Sequence, residues 1–200
     1  MNMVTHIVGG AFAIAVLLLC LLKTTNAAAI VGCCIYGAGM LITYTMSSVY
    51  HGLHINTGKK VMQVLDHCAI YFLIAGTYTP IMLVKFVPTY PLIGWGLLGM
   101  QWALTALAVT FTAIDLKKYR VFSMICYILM GWGIIFFLPQ TLEVLGSTGF
   151  GWLLSGGIAY TIGAILFGIG KKLKWMHSVF HIFVLLGSVL QFISIYFYML

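Results

Sequence analysis

Residues 86–114 read FVPTYPLIGWGLLGMQWALTALAVTFTAI, twenty-nine consecutive positions without an Asp, Glu, Lys or Arg. An α-helix rises about 1.5 Å per residue, so about 20 mostly apolar residues cross a hydrocarbon core roughly 30 Å thick. The stretch is long enough for one crossing and too short for two. Lys85 and Asp115 bound it, and the same punctuation recurs along the chain. The 10 Lys and Arg and 3 Asp and Glu divide the 200 residues into intervals, seven of which are at least eighteen long: 1–22, 24–58, 67–84, 86–114, 121–142, 144–170 and 175–200. Only 24–58 has length to spare, enough for one long helix and a loop.

Composition agrees with this reading. Soluble domains carry about 25% charged residues; here 6% are charged and 62% apolar. An ordinary globular enzyme, a nucleic-acid-binding module, a disordered tail and a separate soluble domain are excluded, because no polar stretch could form one. The net charge of +7 implies no nucleic-acid partner, since the basic residues sit in short clusters between apolar runs.

The sequence therefore predicts an all-α integral membrane protein, a single domain over residues 1–200 with seven transmembrane helices. Lipid offers the backbone no hydrogen-bond partners, and the apolar runs lack the period-two alternation of an outer-membrane barrel. Lys59 and Lys60 follow the second crossing, Lys117, Lys118 and Arg120 the fourth, and Lys171, Lys172 and Lys174 the sixth. The remaining loops hold Lys23, Lys85 and Glu143. The positive-inside rule then places the N-terminus in the cytoplasm and the C-terminus outside, as expected of a multi-pass protein of the cell's inner, cytoplasmic membrane. A secretory signal peptide is the alternative for the first segment, because the apolar run from Ile7 to Leu22 precedes Ala27-Ala28-Ala29. Against it, no Lys or Arg precedes the run, and Lys23 follows it.

The cysteines Cys20, Cys33, Cys34, Cys68 and Cys126 all lie in apolar runs without C-x-x-C spacing, which argues for buried thiols rather than a disulfide scaffold. Pro80 inside the third crossing should remove a backbone hydrogen bond and kink the helix. Gly146-Ser147-Thr148-Gly149 reads as an external turn.

With this orientation all six histidines, His6, His51, His54, His67, His177 and His181, fall in the cytoplasmic half. Intramembrane ionisable groups are costly and mark functional sites. His177 and His181 are four residues apart, on one helical face; so are Ser47 and His51 on a helix running the other way. Asp66 enters the third crossing at a depth similar to His51. Three neutral imidazoles with one open position suit a catalytic zinc ion, with a nearby carboxylate and hydroxyl to orient water. On this reading His51, His177 and His181 are the metal ligands, and Asp66 and Ser47 are the catalytic pair. The alternative is that each histidine hydrogen-bonds between helices as structural glue. For His54 and His67, interfacial or interhelical roles are expected. His6 could line the cavity as a proton acceptor, whereas as a fourth ligand it would close the open position.

The chain resembles the hemolysin III family, the bacterial branch of the progestin and adipoQ receptor superfamily, over essentially its whole length. The residues that carry the likeness are Ser47-Ser48-Val49-Tyr50-His51, Leu65-Asp66-His67 with Ala75-Gly76-Thr77-Tyr78-Thr79-Pro80, and His177-Ser178-Val179-Phe180-His181, with Thr5-His6 in the opening segment. The resemblance implies a seven-helix fold and a zinc ion near the cytoplasmic side, held by His51, His177 and His181 beside Asp66 and Ser47. Many members have an acidic amphipathic lead, where here only Met1 to Thr5 precede His6. One implied function is zinc-dependent hydrolysis of a lipid amide or ester. A second is non-enzymatic adjustment of membrane state or energisation with structural zinc. A third, pore-forming cytolysis as in the family's name, has little sequence support, since no helix carries a polar stripe from face to face. Membrane lipids are the expected partners, as surroundings or as substrate, and the oligomeric state is open.

Overall fold

The computed structural model describes residues 2–169 and 175–200, with the side chains of Asn2, Ile169 and His177 outside the description. Lys171, Lys172 and Lys174 of the expected sixth loop also lie outside the described residues. Among the described residues eight α-helices follow in order: α1 Asn2–Lys23, α2 Ala27–Gly52, α3 Thr57–Ile81, α4 Val87–Thr89, α5 Pro91–Ile114, α6 Arg120–Trp132, α7 Leu138–Ile169 and α8 Met176–Tyr198. No strand occurs among the described residues.

Local chemistry sets several of the boundaries. Asn26 and Asn56 cap α2 and α3, their side chains accepting from Ala28 N and Lys59 N, each at 2.8 Å, which satisfies donors that a helix start leaves unpaired. Asp115 does the same beyond α5, accepting from Lys117 N and Lys118 N at 3.0 Å. Pro80 lies inside α3, and a π turn over Met82–Phe86 follows directly, leading into α4. Proline has no N–H to donate and its ring crowds the carbonyl four residues earlier, here that of Gly76.

Six segments among the described residues are long and apolar enough to cross a membrane: Met3–Lys23, Ala27–Gly52, Thr57–Thr89, Pro91–Ile114, Arg120–Gly168 and Ser178–Tyr198. The fifth is 49 residues long, about 74 Å if drawn out as one helix at 1.5 Å per residue. It is broken twice. Gly133–Phe137 tightens into a 3-10 turn, and Gly146 interrupts α7 with φ 67° and ψ 166°. Glycine alone tolerates that backbone without strain. The expected four-residue turn at Gly146–Gly149 is thus compressed to one residue, with Ser147, Thr148 and Gly149 already helical.

The 3-10 break starts on buried Gly133 and Ile134 and turns Phe136 outward, and backbone groups around its start have side-chain partners. Gln101 Nε2 donates to Met130 O at 2.8 Å, Tyr78 OH donates to Gly131 O at 3.1 Å, and Ile134 N donates to Tyr78 OH at 3.0 Å. Irregular backbone at membrane depth is tolerated only with such partners.

Helix α2 packs against α1 and α3, α1 against α8, and α7 against α8. Small residues allow the close approaches. A Cβ at Gly32 would lie 2.7 Å from Pro80 Cα, and one at Gly39 2.7 Å from Phe72 O. Between lipid-facing helices such backbone contact supplies the association that the hydrophobic effect cannot. The main core, with Val16, Cys33, Tyr36, Met40, Tyr44, Leu73 and Ile195, lies between α1, α2, α3 and α8. The outward faces carry Leu22, Leu92 and Phe136, all strongly exposed, as a lipid-facing surface requires.

Candidate functional site

Three helices deliver imidazoles to one end of the bundle. His6 lies in the second turn of α1, His51 in the last turn of α2, and His181 in the second turn of α8. Because α1 and α8 start at this end and α2 finishes there, the three positions share a depth. One nitrogen from each ring can be chosen so that all three lie within 4.8 Å of one another. Ring centroids are 6.1 Å apart for His6 and His51, 4.2 Å for His6 and His181, and 4.8 Å for His51 and His181. His6 Nε2 and His181 Nδ1 are hydrogen-bonded at 2.5 Å. His6 and His181 are each 3% exposed, and His51 is partly buried.

This donor set fits a metal ion. It consists of imidazole nitrogens from separate helices, gathered at a largely buried position where ionisable groups are costly. Two members, His51 and His181, are those expected from sequence. The third expected ligand, His177, has its side chain outside the described residues, while its backbone position sets it one turn before His181. His6 stands inside the cluster, closer than spacing alone could place it. The available signal was its depth, since intervals within one helix say nothing about which faces of different helices meet.

Ser47 lies one turn before His51 on α2. It is 3% exposed and lies near the Asp66 carboxyl of α3. Asp66 is 17% exposed, which leaves it access to a small polar molecule. His67 turns away from the cluster: its Nδ1 is 2.8 Å from Gln63 O on its own helix and 4.0 Å from Asp66 Oδ2. Its carbonyl accepts from Tyr127 OH at 2.7 Å. His54 is exposed in the α2–α3 loop. Cys68 faces α5, with Sγ 4.0 Å from Val109 O.

The family model described as haemolysin-III related matches residues 1–192. The chain belongs to the hemolysin III family. This hemolysin III protein is 39% identical over 202 aligned positions to Hemolysin-3 of Bacillus cereus, covering 100% of this chain and 90% of the relative. It is 34% identical over 200 positions to the Hemolysin-3 homolog of Bacillus subtilis (strain 168), covering 98% and 92%. A more distant likeness, 25% over 173 positions, links it to the human monocyte to macrophage differentiation factor, covering 82% of this chain and 69% of that protein. That likeness fits the wider progestin and adipoQ receptor superfamily. In this hemolysin III protein, buried nitrogens that could hold a metal therefore stand beside a carboxyl and hydroxyl that could orient water.

Proposed function

We propose that this hemolysin III protein is a zinc-dependent intramembrane hydrolase of lipid amides or esters, linked to membrane homeostasis. The observation that carries the reading is the convergence of imidazoles from α1, α2 and α8, two of them buried, with Ser47 one turn before His51 on α2 and near the Asp66 carboxyl. His51 and His181 hold the ion with His177, which follows the family pattern. His6, bonded to His181 Nδ1, orients that ring, as partners of metal-bound histidines do. When bound, zinc supplies a Lewis acid for a carbonyl and brings the pKa of water to about 7. Asp66 holds the attacking water and carries its proton to the leaving group, and Ser47 keeps the carboxyl in place.

The proposed topology has seven crossings, with the broken 49-residue segment supplying the fifth and sixth. Lys59, Lys60, Lys117, Lys118 and Arg120 lie at the histidine end, so the positive-inside rule puts that end in the cytoplasm and the C-terminus outside the inner membrane. The test incubates purified protein with fluorescently labelled acyl-amide and acyl-ester lipids, beside Asp66→Ala. Product from the wild type that the variant does not form is expected. Equal product from both, or none from either, would contradict the reading.

The second reading is a non-enzymatic regulator of membrane state, favoured by the same cluster's position as a clamp between α1, α2 and α8. A metal-dependent gain in thermal stability with no turnover of any lipid would select it. Cytolysis, which the names of the Bacillus relatives suggest, would show as dye leakage from liposomes that depends on the protein.

A further inference from the structure

Tyr44 connects the three helices that carry His6, His51 and His181. It stands on α2, seven residues before His51. Its hydroxyl is 2.6 Å from Ser188 Oγ, and Ser188 stands on α8, seven residues after His181. Seven residues is nearly two helical turns, so on each helix the hydroxyl and the imidazole share a face, separated by about 10 Å along the axis. Since α2 runs toward the histidine end and α8 away from it, pairing Tyr44 with Ser188 pairs His51 with His181.

The first helix is seated on the same ring. Gly9 lies three residues after His6, and a Cβ there would fall 2.3 Å from Tyr44 Cδ1, so only glycine lets α1 come this close. The Tyr44 and His6 ring centroids are 5.6 Å apart. Helix α7 adds Tyr160, whose hydroxyl is also 2.6 Å from Ser188 Oγ. Its ring lies across Gly187, where a Cβ would be 2.9 Å away. Tyr44 and Ser188 are each 1% exposed, so water does not compete for these bonds. In a bilayer, helix register depends on close packing and interhelical hydrogen bonds. A slip of one turn at Tyr44–Ser188 would carry His181 about 5.4 Å from its partners.

We infer that Tyr44 is a positioning residue for the histidine cluster, setting the register of α1, α2 and α8 through Gly9 and Ser188. The consequence for metal binding rests on the metal-site reading above; the geometric claim does not. Wild type, Tyr44→Phe, Ser188→Ala and Ser188→Thr are purified full length and titrated with Co²⁺, followed by Zn²⁺ competition. The cobalt absorption band reports ligand geometry. Tyr44→Phe and Ser188→Ala are expected to bind about tenfold or more weakly, the scale seen when groups that orient ligands are removed, with a shifted band. Ser188→Thr, which keeps the hydroxyl, restores both. Gln101→Leu, another buried polar residue but bonded to Met130 O, should lower the melting temperature and leave cobalt affinity unchanged.

A second readout needs no metal. In a His51→Cys/His181→Cys protein, the yield of the 51–181 disulfide under mild oxidation, identified by peptide mass, reports how these positions face one another. Adding Tyr44→Phe should lower that yield severalfold. Wild-type cobalt affinity and spectrum in Tyr44→Phe and Ser188→Ala, with unchanged cross-linking, would overturn the inference. If the wild type binds neither Co²⁺ nor Zn²⁺ the metal reading fails, while a reduced cross-link in the Tyr44→Phe background still establishes the positioning.

Discussion

Ser47 on α2 and Asp66 on α3 stand near one another from helices of opposite direction. A carboxyl beside a hydroxyl, outside the group of imidazoles that could hold a metal, suits proton transfer more than metal ligation. Asp66→Ala should therefore lower lipid hydrolysis by about 10²–10⁴-fold, the usual share of a general acid–base group, while the protein keeps its zinc. Loss of the metal in that variant would instead make Asp66 a ligand. At the opposite end of the bundle, the Tyr90 hydroxyl donates to Glu143 Oε2 at 2.5 Å, which raises the phenol's pKa above its ordinary value of 10.0. The folded protein thus holds this proton more tightly than the unfolded chain. The stabilisation is complete below pH 10 and is lost as pH rises through the elevated folded value. Alkaline difference absorbance of wild type minus Tyr90→Phe should show one tyrosine ionising later than a free phenol; ionisation at the ordinary pH would refute the contact.

Among the elements, the α2–α3 pair is the most sensitive to added volume. Gly32→Ala drives a methyl to 2.7 Å from Pro80 Cα, backbone that cannot rotate away, so a cost of about 1–3 kcal/mol is expected. Gly157→Ala, with nothing within 4 Å of the new Cβ, is the matched control, and thermal unfolding in detergent compares the two. The broken segment has a different weakness. Its 3-10 turn depends on Gln101 and Tyr78 for hydrogen bonds. Apolar intervals revealed the helices but not this break, because a glycine in an apolar run does not show whether a partner helix will satisfy an unwound backbone. The one-residue reversal at Gly146 was equally hidden: Gly-Ser-Thr-Gly reads as a turn, and only the positive φ shows where within it the chain bends.

At the scale of the whole molecule, most of the helical framework was legible because bilayer thickness imposes a length on each apolar run. The α2–α3 connection falls just before Lys59 and Lys60, which lie in the first turn of α3 and not in the loop the charges suggested, and His51 and His181 meet as their spacing and depth suggested. His6 in the cluster, and Tyr44 against Ser188 across 144 positions of sequence, were not legible, since periodicity places a residue on a face without saying which faces meet. Topology has its own check. Cysteine introduced as Ser147→Cys should react with a membrane-impermeant thiol reagent from outside intact cells, and Lys118→Cys only after the membrane is opened; the reverse pattern would invert the proposed orientation. The claim on which the rest depends is that the histidine cluster holds zinc. It is tested most directly by the metal content of purified wild type beside His51→Ala, His177→Ala, His181→Ala and His6→Ala. The account predicts one zinc per chain in the wild type, loss from the first three variants and retention in His6→Ala. Zinc absent from the wild type, or present at full stoichiometry in His51→Ala and His181→Ala, would contradict it.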